Sequence, residues 1–142
     1  MRVMGLDLGK KTIGVAVSDE TGLTAQPVTT VRRTSLRKDI DALLALMEEH
    51  SVGKIVVGLP VNMDGTIGAR GKDTLKFVDY LRTKTPVDVV TWDERLSTVA
   101  VTRVLIEGDV SRGRRKEVVD KMAAAYILQG YLDSRRPSNP AR

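Results

Sequence analysis

At three places in this sequence carboxylates stand where they are costly. Asp7 interrupts the apolar run RVMGLDL, Asp93 and Glu94 close the run VDVVTW, and Asp120 precedes Ala123, Ala124, Ile127 and Tyr131 at helical spacing. A carboxylate near the end of a central strand is expensive to bury unless it is paired, hydrogen-bonded or bound to a cation. Each acid has a plainer explanation. Asp7 can cap its own turn through Gly9, Asp93 or Glu94 can meet the amino end of a following helix, and Asp120 suits a first helical turn. Neighbours on an extended chain point oppositely, so one of Asp93 and Glu94 faces the site, and Glu94 is the one chosen.

Taken together, the acids favour one chemistry. Three carboxylates from separate elements would repel one another unless a cation lay between them. The chain has no cysteine and a single histidine, His50, so any metal is held by oxygen. Hard oxygen ligands point to Mg²⁺ or Mn²⁺. Such ions bridge phosphate oxygens and lower the pKa of bound water, which is the route to phosphodiester hydrolysis.

The elements that must position these acids follow from periodicity. Residues 2 to 8 and 12 to 18 predict a β-hairpin around GKK, and LTAQPVTTV predicts a third strand whose Pro27 confines it to the sheet edge or to a bulge. In SLRKDIDALLALMEEH, Leu36, Ile40, Leu43, Leu44 and Met47 recur every three or four residues, predicting a helix that stops at Gly53. KIVVG and VDVVTW predict buried strands. ARGKDTLKFVDYLR predicts a helix with Leu75, Val78 and Leu81 inward, and STVAVTRVLIEG another ending at Gly108. DVSRGRRK reads as a basic loop before a final helix from about Glu117 to Ser134. The expected fold is α/β in the order βββαβαβα, one mixed five-stranded sheet flanked by helices. Its 142 residues, 42% hydrophobic, predict one domain over 1–136 and a disordered tail over 137–142.

A net charge of +5 favours an anionic partner. No stretch approaches the length of a membrane span, and the start does not read as a signal peptide, so the expected location is the cytoplasm. GLPVNMDGTIG leaves its strand with Gly58, Gly65 and Gly68 around Asn62 and Asp64, a loop whose amides suit a phosphate. Arg112, Arg114, Arg115 and Lys116 adjoin the proposed site, where a phosphate backbone would pass. Arg95 either orients Glu94, touches phosphate or forms a structural ion pair. Aromatic residues are scarce at 4%, a poor fit to base stacking, and Trp92, Phe77 and Tyr126 are expected simply to pack. His50 suits a helix end and carries no chemistry.

GLDLGKKTIGVAVSD, VVGLPVNMDGTIG, DERLST and VVDKMAAAYILQGYLD resemble, in order and spacing, the motifs of the bacterial YqgF family, described as RuvX-like Holliday-junction resolvases or pre-16S rRNA nucleases. That resemblance implies a ribonuclease H-like fold and a metal-dependent nuclease. Its substrate is either the 5′ end of pre-16S rRNA or a Holliday junction, cut by a monomer or a homodimer. It lays catalytic and metal-binding roles on Asp7, Glu94 and Asp120. Relatives similar to this chain carry Arg where it has Thr12, so Lys10 and Lys11 are the candidates for that phosphate contact. DLGKKTIGVAVSD also resembles the first phosphate motif of the actin and sugar-kinase ATPases, which clamp nucleotide between two such domains, whereas this length holds one. A nucleic-acid-binding module without catalysis is the remaining alternative, and in it the acids would not matter.

Overall fold

The computed structural model describes residues 1–96 and 112–135, with the backbone alone for 112–120. Strands β1 (Arg2–Leu8), β2 (Thr12–Ser18) and β3 (Ala25–Arg32) form a meander, followed by α1 (Leu36–Glu49), β4 (Val52–Leu59), α2 (Ala69–Lys84) and β5 (Asp88–Asp93). A 3-10 turn, Glu94–Leu96, leaves β5, and α3 spans Arg112–Ser134. The sheet order is β3-β2-β1-β4-β5. β1 is antiparallel to β2 and parallel to β4, which is parallel to β5, so the sheet is mixed and β1 is central.

Alternation along β1 divides the core. Met4, Leu6 and Leu8 join Ile13, Val15, Ile55 and Val57 beneath α1 and α2, where Ile40, Leu43, Phe77, Val78 and Leu81 close the layer. The other face carries Ala16 and Val56 against Ala123, Ala124, Ile127 and Leu128 of α3. Small residues permit this approach: a Cβ at Gly5 would lie 2.7 Å from the Leu128 Cβ and 3.0 Å from the Ala124 carbonyl oxygen. Lys54, in register with Val3, has its ammonium 5.3 Å from the Tyr131 ring centroid, while Leu128 and Ala124 lie over Gly5. α3 therefore runs antiparallel to β1, and its earlier turns lie toward the carboxyl end of that strand.

Pro27 shows why the third strand lies at the edge: β3 pairs only with β2, and the register shifts between Val15 and Ala16, opposite Pro27. Several expectations need correction. α1 ends at His50, and Ser51, at φ 54°, takes the left-handed turn, so Gly53 lies within β4. In α2 the buried stripe is Gly71, Thr74, Phe77, Val78 and Leu81, leaving Leu75 at the rim. The stripe includes the small Gly71 and Thr74, whose weak hydrophobicity concealed its direction. The segment from Arg112 is helical from its start, five residues before Glu117, because arginine and lysine favour helix and Gly113 alone costs only about 1 kcal/mol. The expected helix through Gly108 and the tail 137–142 lie outside the described residues.

Candidate active site

Asp7 is 2% exposed, on the α3 face of the central strand. Across the antiparallel pair it faces Gly14, and continuing the parallel register one step beyond Leu6 and Val57 sets it beside Gly58. A glycine thus flanks it on either side, and over Gly58 the space that a side chain would take is filled by Ile127 of α3 and by Glu94.

Glu94 reaches Gly58 from the end of β5. Gly58 pairs with Trp92 and Leu59 with Asp93, so the alternation that points Trp92 toward α3 points Asp93 away. The backbone then turns into the 3-10 element, bringing Glu94 back over Gly58, where a Cβ would stand 3.3 Å from Glu94 Oε1. Asp93 is committed elsewhere. It accepts hydrogen bonds from the Arg95 backbone N–H at 2.9 Å and from Arg95 Nη2 at 2.8 Å. The Arg95 guanidinium holds the Asp93 carboxyl below the usual carboxylate range, against the opposing effect of burial. Arg95 is in turn held toward its charged form by Asp93. Of the alternatives read from sequence for Arg95, the ion pair is the one observed.

Asp120 lies on α3 one turn before Ala124, in the part of the helix that approaches the carboxyl end of β1. Its side chain, like those of Arg112, Arg114, Arg115 and Lys116, lies outside the described residues. The helix spacing places 112, 115 and 116 on one side and 114 across from them. Lys10 and Lys11 are exposed in the β1–β2 turn that follows Asp7. That turn is closed by the Gly9 N–H donating to the Thr12 carbonyl at 2.9 Å and is braced by Arg33, whose Nη1 donates to the Gly9 carbonyl at 2.8 Å. Arg33 also pairs with the buried Asp39 at 3.6 Å.

Beside Glu94 opens a cleft of about 500 Å³, lined by residues of the β4–α2 loop and the start of α2 together with Arg95. Asn62 stands in its wall, but its side-chain amide is engaged within the loop, donating to Thr66 Oγ1 at 2.9 Å. The Asn62 carbonyl accepts from Gly65 N–H at 2.8 Å and from Arg95 Nη1 at 3.3 Å. Gly65 has φ +89°, which disfavours any other residue there. Asp64 accepts from the Thr66 hydroxyl at 2.6 Å, and that hydrogen bond lowers its pKa. Sequence reasoning missed Arg70, which lines this cleft and also the small pocket beside Gly9, Lys10 and Arg33. Its signal was available: a basic residue in the first turn after the glycine-rich loop.

The donor set suits a hard divalent cation. Asp7 and Glu94 are carboxylates on either side of Gly58, and the chain has no cysteine and only His50 as an imidazole, a donor set of the kind that Mg²⁺ and Mn²⁺ select. Among the described residues no three such groups converge, and Asp120 is outside that comparison.

The family description "RuvX: Holliday junction resolvase" matches residues 1–134. The chain belongs to the RuvX family. A Myxococcus xanthus relative, named "Putative pre-16S rRNA nuclease", is 61% identical over 137 residues, covering 96% of this chain and 91% of its own length. A relative of the same name from Desulforamulus reducens is 55% identical, with 94% and 98% covered. Among solved structures, Thermus thermophilus RuvC in complex with a Holliday junction superposes with a TM-score of 0.59 at 15% identity, covering 95% of this chain and 96% of that one. The fowlpox virus resolvase bound to Holliday junction DNA gives 0.54 at 10% identity, covering 94% and 98%. At such identities the RuvX chain shares with them the fold, which is ribonuclease H-like as the sequence motifs implied.

Proposed function

We propose that this RuvX chain is a divalent-metal-dependent endonuclease that hydrolyses phosphodiester bonds in structured nucleic acid. The observation that supports the reading is the approach of Glu94 to Gly58, the β4 residue beside Asp7, on the sheet face that α3 covers. Asp7, Glu94 and Asp120 would hold Mg²⁺ or Mn²⁺. When bound, the ion supplies charge neutralisation at the phosphate and a more acidic water.

The protein's own groups have separable tasks. Asp7 is carried by the central strand, Glu94 by the turn that leaves β5, and α3 packs over the same sheet face. Lys10, Lys11, Arg70 and Arg95, with Arg112, Arg114, Arg115 and Lys116, provide cations for flanking phosphates, which position the substrate without reading bases. Asn62 shapes the loop at the cleft and is a lesser candidate for direct contact.

The names of the relatives favour precursor 16S rRNA as the substrate, processed in the cytoplasm. The description of the family keeps four-way DNA junctions as a second reading. Purified protein incubated with a 5′-extended 16S rRNA fragment and a matched four-way DNA junction, each with Mg²⁺ or Mn²⁺, separates the two. Cleavage of neither substrate would reject the nuclease reading.

A further inference from the structure

We propose that Met63 is a wedge that opens a base step beside the bond to be cut, so that the substrate is a duplex or branch whose step there is unstacked on binding. The proposal extends the nuclease reading by naming a feature of its substrate.

Met63 is 95% exposed, the most exposed of the large apolar side chains among the described residues. A single exposed methionine on a mobile tip would be ordinary. Here the tip is tied down. The Asn62 N–H donates to the Thr66 carbonyl at 2.9 Å, and the Thr66 N–H donates to Asp64 Oδ1 at 3.0 Å. Gly65 and Arg95 both donate to the Asn62 carbonyl, the residue before Met63. Arg95 also grips Asp93, so one guanidinium connects the base of the tip to the residue preceding Glu94. The loop therefore presents an apolar side chain to solvent from a position fixed relative to the candidate active site.

The surroundings select the occupant. Met63 borders the cleft that contains Glu94, with Pro60, Val61 and Ala69 offering apolar wall and Arg70 and Arg95 offering charge. Arg70 makes no ion pair among the described residues. Apolar walls with cations at the edge suit a nucleotide, whose base is flat and apolar on its faces and whose phosphate is anionic. The cleft has no aromatic platform on which a base would stack. Methionine is among the side chains that nucleic-acid-binding proteins drive between base steps, and its thioether packs well against aromatic faces.

The test uses the full chain carrying Asp7→Asn, expected to bind without cutting, and two probes: a four-way DNA junction and a 5′-extended RNA stem. Each carries 2-aminopurine at the branch or stem base. Fluorescence should rise severalfold on binding, and adding Met63→Ala should abolish the rise while Met63→Leu retains it. In chains with Asp7 intact, Met63→Ala should lower the ratio of cutting on fully paired to mismatched substrate about tenfold, since a mismatch supplies the opening that the wedge would otherwise provide. Absence of a fluorescence rise with Met63 present, or an equal loss of cutting on both substrates, would overturn the wedge. A Met63-dependent rise without cleavage in any chain would uphold the wedge and reject the nuclease reading.

Discussion

Glu94 lies over Gly58 of the adjacent strand so closely that one added methyl group would reach it. A Cβ at Gly58 would stand 3.3 Å from Glu94 Oε1 and would overlap the Ile127 Cδ1 of α3. Gly58→Ala therefore forces both the helix and the Glu94 carboxylate outward, a form of overpacking that costs about 1–3 kcal/mol. Ile127→Val removes the δ-methyl and should restore the melting temperature of the Gly58→Ala protein. It should not restore cleavage, because the new methyl still crowds Glu94. Full recovery of cleavage in the double variant would mean that Glu94 position is not critical.

Asp7→Asn, Glu94→Gln and Asp120→Asn should each abolish cleavage while preserving the circular dichroism spectrum. Removing one negative charge also relieves repulsion in the metal-free protein, so each variant is expected to melt at or above the wild-type temperature. Near wild-type cleavage by any one variant removes that residue from the proposed ligand set.

Much of this site was legible because strand alternation has no ambiguity once one face is known. Asp7 stood out as a charge in an apolar run, and alternation implied that Asp93 and Glu94 point apart, as they do: Glu94 turns toward Gly58 and Asp93 pairs with Arg95. The order of strands followed from local patterns. What remained hidden depends on contacts remote in sequence. Arg33 bracing the Gly9 carbonyl and Arg95 gripping the Asn62 carbonyl join segments 24 and 33 residues apart, and no local period encodes them. The start of α3 was hidden for another reason: a run of arginines has no apolar period, so a solvated helix and a loop look alike.

Arg95→Gln should destabilise the fold chiefly through the lost partner of Asp93, and so in a pH-dependent way. The Asp93 carboxyl is held low chiefly by its hydrogen bond from Arg95. A carboxyl whose folded pKa lies below its unfolded value of about 3.9 stabilises the fold above that value, and the contribution disappears as pH falls through the folded pKa. The melting temperatures of wild type and Arg95→Gln should therefore differ at neutral pH and converge in acid below about pH 4. A constant difference across that range would place the effect in the Asn62 contact instead.

Cleavage should require Mg²⁺ or Mn²⁺ and stop on chelation, with recovery when either ion is returned. Ca²⁺ should bind without supporting turnover, because its larger and looser coordination shell positions water poorly. Competition between Ca²⁺ and Mg²⁺ in a cleavage titration checks this directly. Undiminished activity after exhaustive chelation would exclude the metal-dependent reading.

The basic start of α3 should act through phosphates, and its helical form sharpens the expectation. Arg112, Arg115 and Lys116 share one side of the helix, whereas Arg114 lies across from them, and the same helix carries Asp120 two turns further on. A backbone passing the acids along that side would meet three cations. Each neutralised phosphate of duplex DNA contributes about 0.9 to the slope of log affinity against log salt, so changing the three to Ala should lower the slope by about 2.7. Arg114→Ala should lower it less than any of the three single changes. Binding should weaken alike for all sequences, since phosphate contacts set position and not base preference. Turnover at saturating substrate should fall far less than in the carboxylate variants if, as proposed, these cations hold the substrate while the acids perform the chemistry. Binding titrations at several salt concentrations measure the slope, and an unchanged value for the triple variant would assign this stretch to solvated surface.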